Sequence, residues 1–377
     1  MSETISASPR IQRSPFYEAT RRHGALGYSV YNKMYLPIGY DDPEKEFWSL
    51  VNDVTLWDVA VQRIVEISGP DAFTFTNMLT PRDLTKCNVG ACKYVLITDQ
   101  YGGILNDPVL LRLAENLFWL SRADSDILMW AKGVAVNCGL NVDISEPQVA
   151  TVQIQGPKSV DVVEKLFGSV ALDIKYYHFQ ELSLNGAPVI LARTGWSAER
   201  GYEVYLRDTS RAIEVWDWIM AAGKEFNIIP SSPNRIRRIE GGILDYSVDM
   251  DETTNPFEIA MDRLVQLDQE ADFIGKSALK TIHEAGITRK LVGIELDGAP
   301  ISYNETAWIA KVGDKTVGKL TSCVYSPRLK KNIGYVMADM AYTHLGTLIS
   351  VATTDGQRTA TVVPMPFFDP NKNLSKK

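Results

Sequence analysis

Histidine and cysteine are scarce, with four of each in 377 residues. Cys87, Cys92, Cys138 and Cys323 are too few and too scattered to form a disulfide framework. Cys87 and Cys92 stand five apart without a matching pair of histidines, so no zinc-finger spacing exists and no metal is expected. Long apolar runs are missing as well. The first residues, "MSETISASPRIQRSP", contain no signal-peptide core, and nothing approaches the length needed to cross a bilayer. A positive excess is missing too: 39 Lys and Arg against 46 Asp and Glu give a net charge of -7, which removes the electrostatic reason to expect nucleic acid or an anionic membrane as partner. Reduced thiols, no leader and no span together predict a cytoplasmic protein.

The familiar nucleotide and hydrolase signatures are also absent. There is no GxxxxGK[ST] phosphate loop, no GxGxxG after a strand, no GxSxG elbow and no HExxH helix. Any ligand is therefore expected to sit in a pocket between domains, held by scattered polar groups.

What is present is alternation between helical and strand patterning. The first fifteen residues predict a loosely ordered arm. "DPEKEFWSLVNDVTLWDVA" places Phe47, Leu50, Val51, Val54 and Trp57 at helical spacing. "QRIVEISG" alternates as a strand, and "PDAFTFTNMLT" opens a helix with Pro70 and Asp71 at its start. "CKYVLITDQYGGILNDPVLLRLAENLFWLSR" predicts strands joined by tight turns, followed by an amphipathic helix capped by Asp124 or Ser125. A second pass begins near residue 148: strand "VATVQIQGP", helix "KSVDVVEKLFG", a hairpin about Asn185-Gly186, strand "GYEVYL", and helix "SRAIEVWDWIMAAGKEFN". "ISGPDAFTFTNML" and "IQGPKSVDVVEKLF" repeat one strand, Gly-Pro turn and helix, which suggests two related α+β halves. Beyond "IGKSALKTIHEAG" short strands and turns predict a small β-barrel or sandwich over roughly 288–370, with a domain boundary near 285. The division is thus 1–284 and 285–377.

Two carboxylates stand out. Glu203 lies between Tyr202 and Tyr205 on a strand; it either points to solvent or accepts paired hydrogen bonds from a planar donor, such as an arginine or the guanidine-like edge of a pterin. Asp107, in Asn106-Asp107-Pro108, is either ordinary turn chemistry or a pocket carboxylate able to take up positive charge. Arg235, Arg237 and Arg238 form a charge run of the kind that is usually ion-paired at a surface.

In chain order, "GYSVYNKMYLPIGY", "WDVAVQRIVEISGPDA", "TPRDL", "GGILNDPVL", "IQGP", "RTGWSAERGYEVY", "RRIEGGILDYSVDMDETTNPFE", "FIGKSAL" and "GKLTSCVYSPRLKKNIGYV" resemble the glycine-cleavage T-protein (aminomethyltransferase) family, from about residue 20 to the end. Within it, "YSVYN", "WDVAVQRIVEI", "TPRDL" and "LNDPV" look most like the dimethylsulfoniopropionate demethylases. The resemblance implies an α+β cloverleaf of three lobes around a central folate channel, the C-terminal β-barrel being the third lobe. It implies tetrahydrofolate as methyl-accepting cosubstrate, with Glu203 gripping the pterin edge and Asp107 beside the reactive nitrogen. Tyr94, Trp196 and Tyr205 become candidate pocket walls, and Arg238, which matches a family arginine, a further candidate for binding the folate.

Three departures bear on the donor. Asn106 stands where the family has Asp, "GWSAERG" replaces "GYTGEDG", and Asn234 replaces an Arg. These changes favour a small-molecule methyl donor over a carrier-borne aminomethyl group. The resemblance then implies a sulfonium donor and 5-methyltetrahydrofolate as product, in a monomer or homodimer. The alternatives are a glycine-cleavage-type aminomethyltransferase or a related folate-dependent N- or O-demethylase.

Overall fold

The computed structural model describes residues 8–377. One local device is built twice. The strand Ile64–Ser68 ends at Gly69 and the helix Ala72–Met78 follows; the strand Ala150–Gln155 ends at Gly156 and the helix Ser159–Phe167 follows. Both glycines sit at positive φ, +115° and +125°. A Cβ there would come within 2.8 Å of the Asn141 carbonyl oxygen or 2.5 Å of the Asp53 carbonyl oxygen, so only glycine lets the chain turn this close to its neighbour. The amides of Ala72 and Ser159 then donate back to the two glycine carbonyls at 3.1 and 2.9 Å. The repeated sequence is a repeated backbone.

Each copy belongs to its own sheet. The first sheet has five antiparallel strands in the order Asp143–Ser145, Ile64–Ser68, Leu117–Ser121, Val109–Ala114, Cys92–Tyr94. The second has six, in the order Phe179–Leu184, Ala187–Ala192, Gly201–Leu206, Ala150–Gln155, Thr55–Asp58, Ile229–Ser231. The helices Ser159–Phe167 and Ala212–Gly223 cover one face of the second sheet, packing Val162, Trp216 and Ile219 with Val152, Tyr202 and Val204. Its other face meets the first sheet, where Tyr205 and Ile190 pack with Leu111 and Trp119. All six residues of Gly201–Leu206 are therefore buried. Thr55–Asp58 comes from the N-terminal half yet pairs within the second sheet, so the two α+β lobes are interwoven.

The third lobe is a closed barrel of six strands, Arg289–Leu296, Lys331–Asp339, Lys315–Ser326, Trp308–Val312, Leu348–Thr353 and Gly356–Val363, filled by Ile294, Leu320, Val336 and Val362. The helix Lys276–Ala285 precedes it. The short helix Arg235–Glu240 joins barrel and sheets, and the Tyr335 hydroxyl of the barrel donates to the Ile239 carbonyl at 3.1 Å. Among the described residues no helix is long and apolar enough to cross a membrane.

Three local expectations change. The helix expected to run through Trp57 stops at Asn52, and Trp57 lies on a strand opposite Gln153, because pairing with Ala150–Gln155 outweighs a fortuitous helical spacing. The cap of the helix Ile127–Ala135 is Asp126, whose side chain accepts from the Met129 amide, rather than Asp124 or Ser125. The N-terminal arm lies partly outside the described residues. Its described part is docked: Ser14 is buried and donates to Asp58, Gln12 bridges to Met34, and the adjoining Phe16 enters the core.

Candidate functional site

Where the two sheets, the helix Arg235–Glu240 and the segment after the barrel converge, they enclose a cavity of about 1060 Å³. That is the upper end of the size that takes a cofactor-sized ligand. Tyr94, Asp107, Trp196 and Glu203 all line it. The barrel strands line none of it; Met365, Pro366 and the chain that follows do.

Glu203 is held from inside the protein. It is 3% exposed, which excludes the solvent-facing alternative. Alternation on the strand sends Tyr202 and Val204 under the helices and Glu203 and Tyr205 the opposite way. Register sets Gln153 and Ala192 directly across from Glu203. The Gln153 Nε2 donates to Oε1 at 2.7 Å, the Tyr205 hydroxyl to Oε2 at 3.0 Å, and the Thr194 hydroxyl also to Oε2. Burial pushes the Glu203 carboxyl up from its ordinary range, and the three donors pull against that shift. The result is a fixed carboxylate with one oxygen bearing a single protein donor.

Asp107 follows the short strand Ile104–Asn106. Its Oδ2 accepts the Tyr94 hydroxyl at 2.8 Å, while its Oδ1 is buried with no partner among the described residues. A buried carboxylate oxygen without a donor is costly unless a ligand supplies one. Burial pushes the Asp107 carboxyl up to about 7; the Tyr94 bond opposes this and the Asp245 charge adds to it. Asp245 also lines the cavity, and burial pushes it to about 6 against the lowering effect of Arg238. Tyr31 stands near both: burial, then the charges of Asp245 and Asp107, hold its hydroxyl well above the ordinary value.

The remaining sequence candidates divide. Trp196 is half-buried on the cavity wall, its amide 3.4 Å from Gln153 Oε1. Tyr205 does not line the cavity; it is fully buried behind Glu203, to which its hydroxyl donates. Arg238 does not line it either. Its guanidinium is fully buried against the barrel, 2.6 Å from Asp249 Oδ2 and 2.7 Å from the Ser322 hydroxyl, with the Trp196 ring centroid 5.8 Å away.

The surface ion pairing expected of the arginine run is found for none of the three among the described residues, since the two that are ion-paired are buried. Arg237 is also fully buried, 2.6 Å from Glu199 Oε1, because the helix is wedged between lobes; Arg235 alone is exposed. Asn106 and Asn234 have local reasons. Asn106 is fully buried, accepts the Ala123 amide and donates to the Ala123 carbonyl and the Ser125 hydroxyl, a set that requires both an acceptor and a donor. Asn234 caps the helix through the Arg237 amide at 2.9 Å. Neither lines the cavity.

Sequence reasoning missed Asp245, Tyr246, Tyr31 and Tyr177 as lining residues. The adjacent Asp245-Tyr246 within "GGILDYSVDM" was the available signal, an acid and an aromatic directly after an apolar pair.

Comparison with known proteins follows the same lines. The GCVT N-terminal domain matches residues 16–269, and the glycine cleavage T-protein C-terminal barrel domain matches residues 289–369. The chain is 34% identical to the dimethylsulfoniopropionate demethylase DmdA of Ruegeria pomeroyi, over 95% of this chain and 98% of that one. It is 28% identical to an aminomethyltransferase of Bacillus mycoides and 27% identical to one of Bacillus cytotoxicus, in each case over 96% of this chain and 99% of the relative. The crystal structure of the glycine cleavage system aminomethyltransferase T from Bartonella henselae superposes with a TM-score of 0.85 at 20% identity, covering 96% of this chain and 99% of that one.

Proposed function

Because the chain belongs to the glycine-cleavage T-protein family, we propose that it is a tetrahydrofolate-dependent demethylase whose donor is a sulfonium compound, dimethylsulfoniopropionate, and whose products are 5-methyltetrahydrofolate and methylthiopropanoate. The observation that carries the reading is Asp107 Oδ1, a buried carboxylate oxygen on the cavity wall with no donor among the described residues.

The residues fit the group. Glu203 offers a rigid acceptor whose Oε1, with a single protein donor, stays open to an N–H of the kind a pterin edge presents. Asp107 offers its free oxygen to another donor. Tyr31, Tyr177, Trp196 and Tyr246 supply aromatic walls for a flat ring system and a cationic sulfur. Bound there, tetrahydrofolate supplies the secondary amine that accepts the methyl group.

The chain's own residues need do little bond-making. A sulfonium methyl is already activated: the S–CH₃ bond breaks with its electron pair left on sulfur, and a neutral thioether departs. Positioning is the larger contribution, and holding two reactants in line can lower the barrier by about 7–11 kcal/mol. The proton released from the accepting nitrogen needs a base beside it. Asp107, poised at about 7 and steadied by Tyr94, takes that proton at Oδ1. As a carboxylate it also offsets positive charge building at the nitrogen.

The donor is read from the 34% relative, since the cavity's aromatics suit sulfonium and quaternary ammonium alike. The purified chain is tested alone with tetrahydrofolate and dimethylsulfoniopropionate, with 5-methyltetrahydrofolate as the expected product. Ammonia release that requires a lipoylated carrier, with no methylated folate from the sulfonium, defeats the reading in favour of aminomethyl transfer.

A further inference from the structure

Asp245 and Arg235 both line the cavity, and the protein satisfies neither of them. Among the described residues no hydrogen bond reaches either side chain, and no opposite charge lies within 4.0 Å of either. Arg238 acts on Asp245 through space, but its guanidinium is bonded elsewhere. It donates to Asp249 Oδ2 at 2.6 Å, to the Ser322 hydroxyl at 2.7 Å and to the Tyr303 hydroxyl at 2.9 Å. Asp249 and Asp124 push the Asp245 carboxyl up and Arg235 pulls it down; at about 6 it is ionised at neutral pH. Arg235 is exposed, its guanidinium carbon 4.3 Å from the Tyr303 ring centroid, a contact that holds the group while leaving its N–H donors free. An acid and a base that feel each other across one cavity without pairing are both left for a ligand. Arg122, a further arginine on the wall, is already paired with Glu146 at 3.2 Å and Asp126 at 3.6 Å.

We propose that Asp245 and Arg235 form a two-charge subsite for the methyl donor, Asp245 facing its cationic centre and Arg235 its carboxylate, so that the enzyme selects zwitterions whose charges are a short link apart. The inference rests on the methyl-transfer reading above. The charges of Asp245 and Asp107 both act on the Tyr31 hydroxyl, and that of Glu203 acts on Tyr177. With the pterin edge at Glu203 and the reacting nitrogen at Asp107, the Tyr31 side remains for the donor. The Asp245 charge also raises the Asp107 carboxyl, and a cation seated beside the two acids relieves that repulsion. A purely cationic donor would leave Arg235 without a use, and an anion would leave Asp245 unmatched. A zwitterion answers both, and the carboxylate keeps a cationic centre from entering in the reverse direction, because reversal sets like charges against each other.

The test titrates the full chain in the presence of folic acid, whose pterin accepts no methyl group, so that binding is read without turnover. Three ligands are compared: dimethylsulfoniopropionate, its methyl ester, which keeps only the positive charge, and methylthiopropanoate, which keeps only the negative one. Asp245→Asn is expected to weaken the first two about tenfold and to leave methylthiopropanoate within about twofold. Arg235→Gln is expected to weaken dimethylsulfoniopropionate and methylthiopropanoate about threefold, the smaller loss fitting its exposure, and to spare the ester. Asp245→Glu and Arg235→Lys, which keep the charges, should recover most of the lost affinity. A substitution that weakens all three ligands alike, or none of them, overturns the subsite, as does a wild type that binds no dimethylsulfoniopropionate. Wild-type turnover with tetrahydrofolate separates the subsite from the reading beneath it. Methylated folate without charge selectivity leaves demethylation standing and removes the subsite; charge selectivity without methylated folate keeps a zwitterion subsite and defeats demethylation.

Discussion

The two central carboxylates answer to different measurements because their surroundings differ. Glu203 is held by three protein donors and fits a binding role, so Glu203→Gln is expected to weaken tetrahydrofolate binding by about 1.5–3 kcal/mol, the worth of a hydrogen bond to a charged group. Calorimetric titration giving wild-type affinity would remove it from the site. Asp107 has a free oxygen and a carboxyl raised to about 7, so Asp107→Asn should lower kcat far more than it changes folate affinity. A base must be deprotonated, so kcat/KM should rise with pH through about 7 in the wild type and lose that limb in Asp107→Asn. Stability moves the other way. A folded-state pKa of about 7 against an ordinary 3.8 means that the native state binds the proton more tightly, so stability falls as pH rises from about 4 to about 7 and the full penalty stands above that. Asp107→Asn removes this penalty, at most about 4 kcal/mol for a carboxyl raised from 3.8 to about 7, and is therefore expected to be more stable than the wild type at pH 8, read from denaturant unfolding. A variant less stable than wild type at pH 8 contradicts the assignment.

At the scale of elements, the helix Arg235–Glu240 matters more than its length suggests. Arg237 pairs with Glu199 of the loop before Gly201–Leu206, and Arg238 reaches Asp249 and, in the barrel, Ser322, so two buried guanidinium groups tie the sheets to the third lobe. Removing one partner of a buried pair leaves a charge without compensation, at a cost of about 3–5 kcal/mol. Arg238→Met is expected to lose stability in that range at Asp249's expense, and Arg238→Met/Asp249→Leu to recover part of it; a double variant as unstable as the sum of the two single variants would rule out the pairing as the reason. The two Gly-Pro turns make a parallel prediction. Gly156→Ala places a methyl 2.5 Å from the Asp53 carbonyl oxygen at a φ of +125°, so a loss of several kcal/mol or failure to fold is expected, checked by thermal unfolding.

For the whole molecule, the cavity is made by no single lobe, and ligand binding should therefore report on all of them. Tetrahydrofolate at a hundred times its Kd is expected to add about 2.7 kcal/mol of stability, seen as a rise in the unfolding midpoint. Glu203→Gln at the same concentration should show a smaller rise. A wild-type midpoint that tetrahydrofolate leaves unmoved speaks against binding at this site.

Local patterning was enough for the strands and helices that rest on local chemistry: the Gly-Pro turns, the Asn185-Gly186 hairpin and the alternating strands of the barrel. It also exposed Glu203 and Asp107, because a carboxylate between aromatics on a strand, or beside a proline after apolar residues, breaks the local pattern. What local patterning could not decide depended on partners far away in the chain. Trp57 left its helical spacing because a strand about a hundred residues later pairs with it. Tyr205 and Arg238 proved to stand behind the cavity rather than on it, since strand alternation and the barrel's position, not residue type, decide which way a side chain faces. Asp245 reached the cavity from the segment after the helix Arg235–Glu240, and Lys372 and Lys376 from the chain that follows the barrel, neither of which local patterning places there. Residue chemistry and local turns are written within a few neighbours, whereas burial, register and the meeting of distant charges exist only once the lobes have packed.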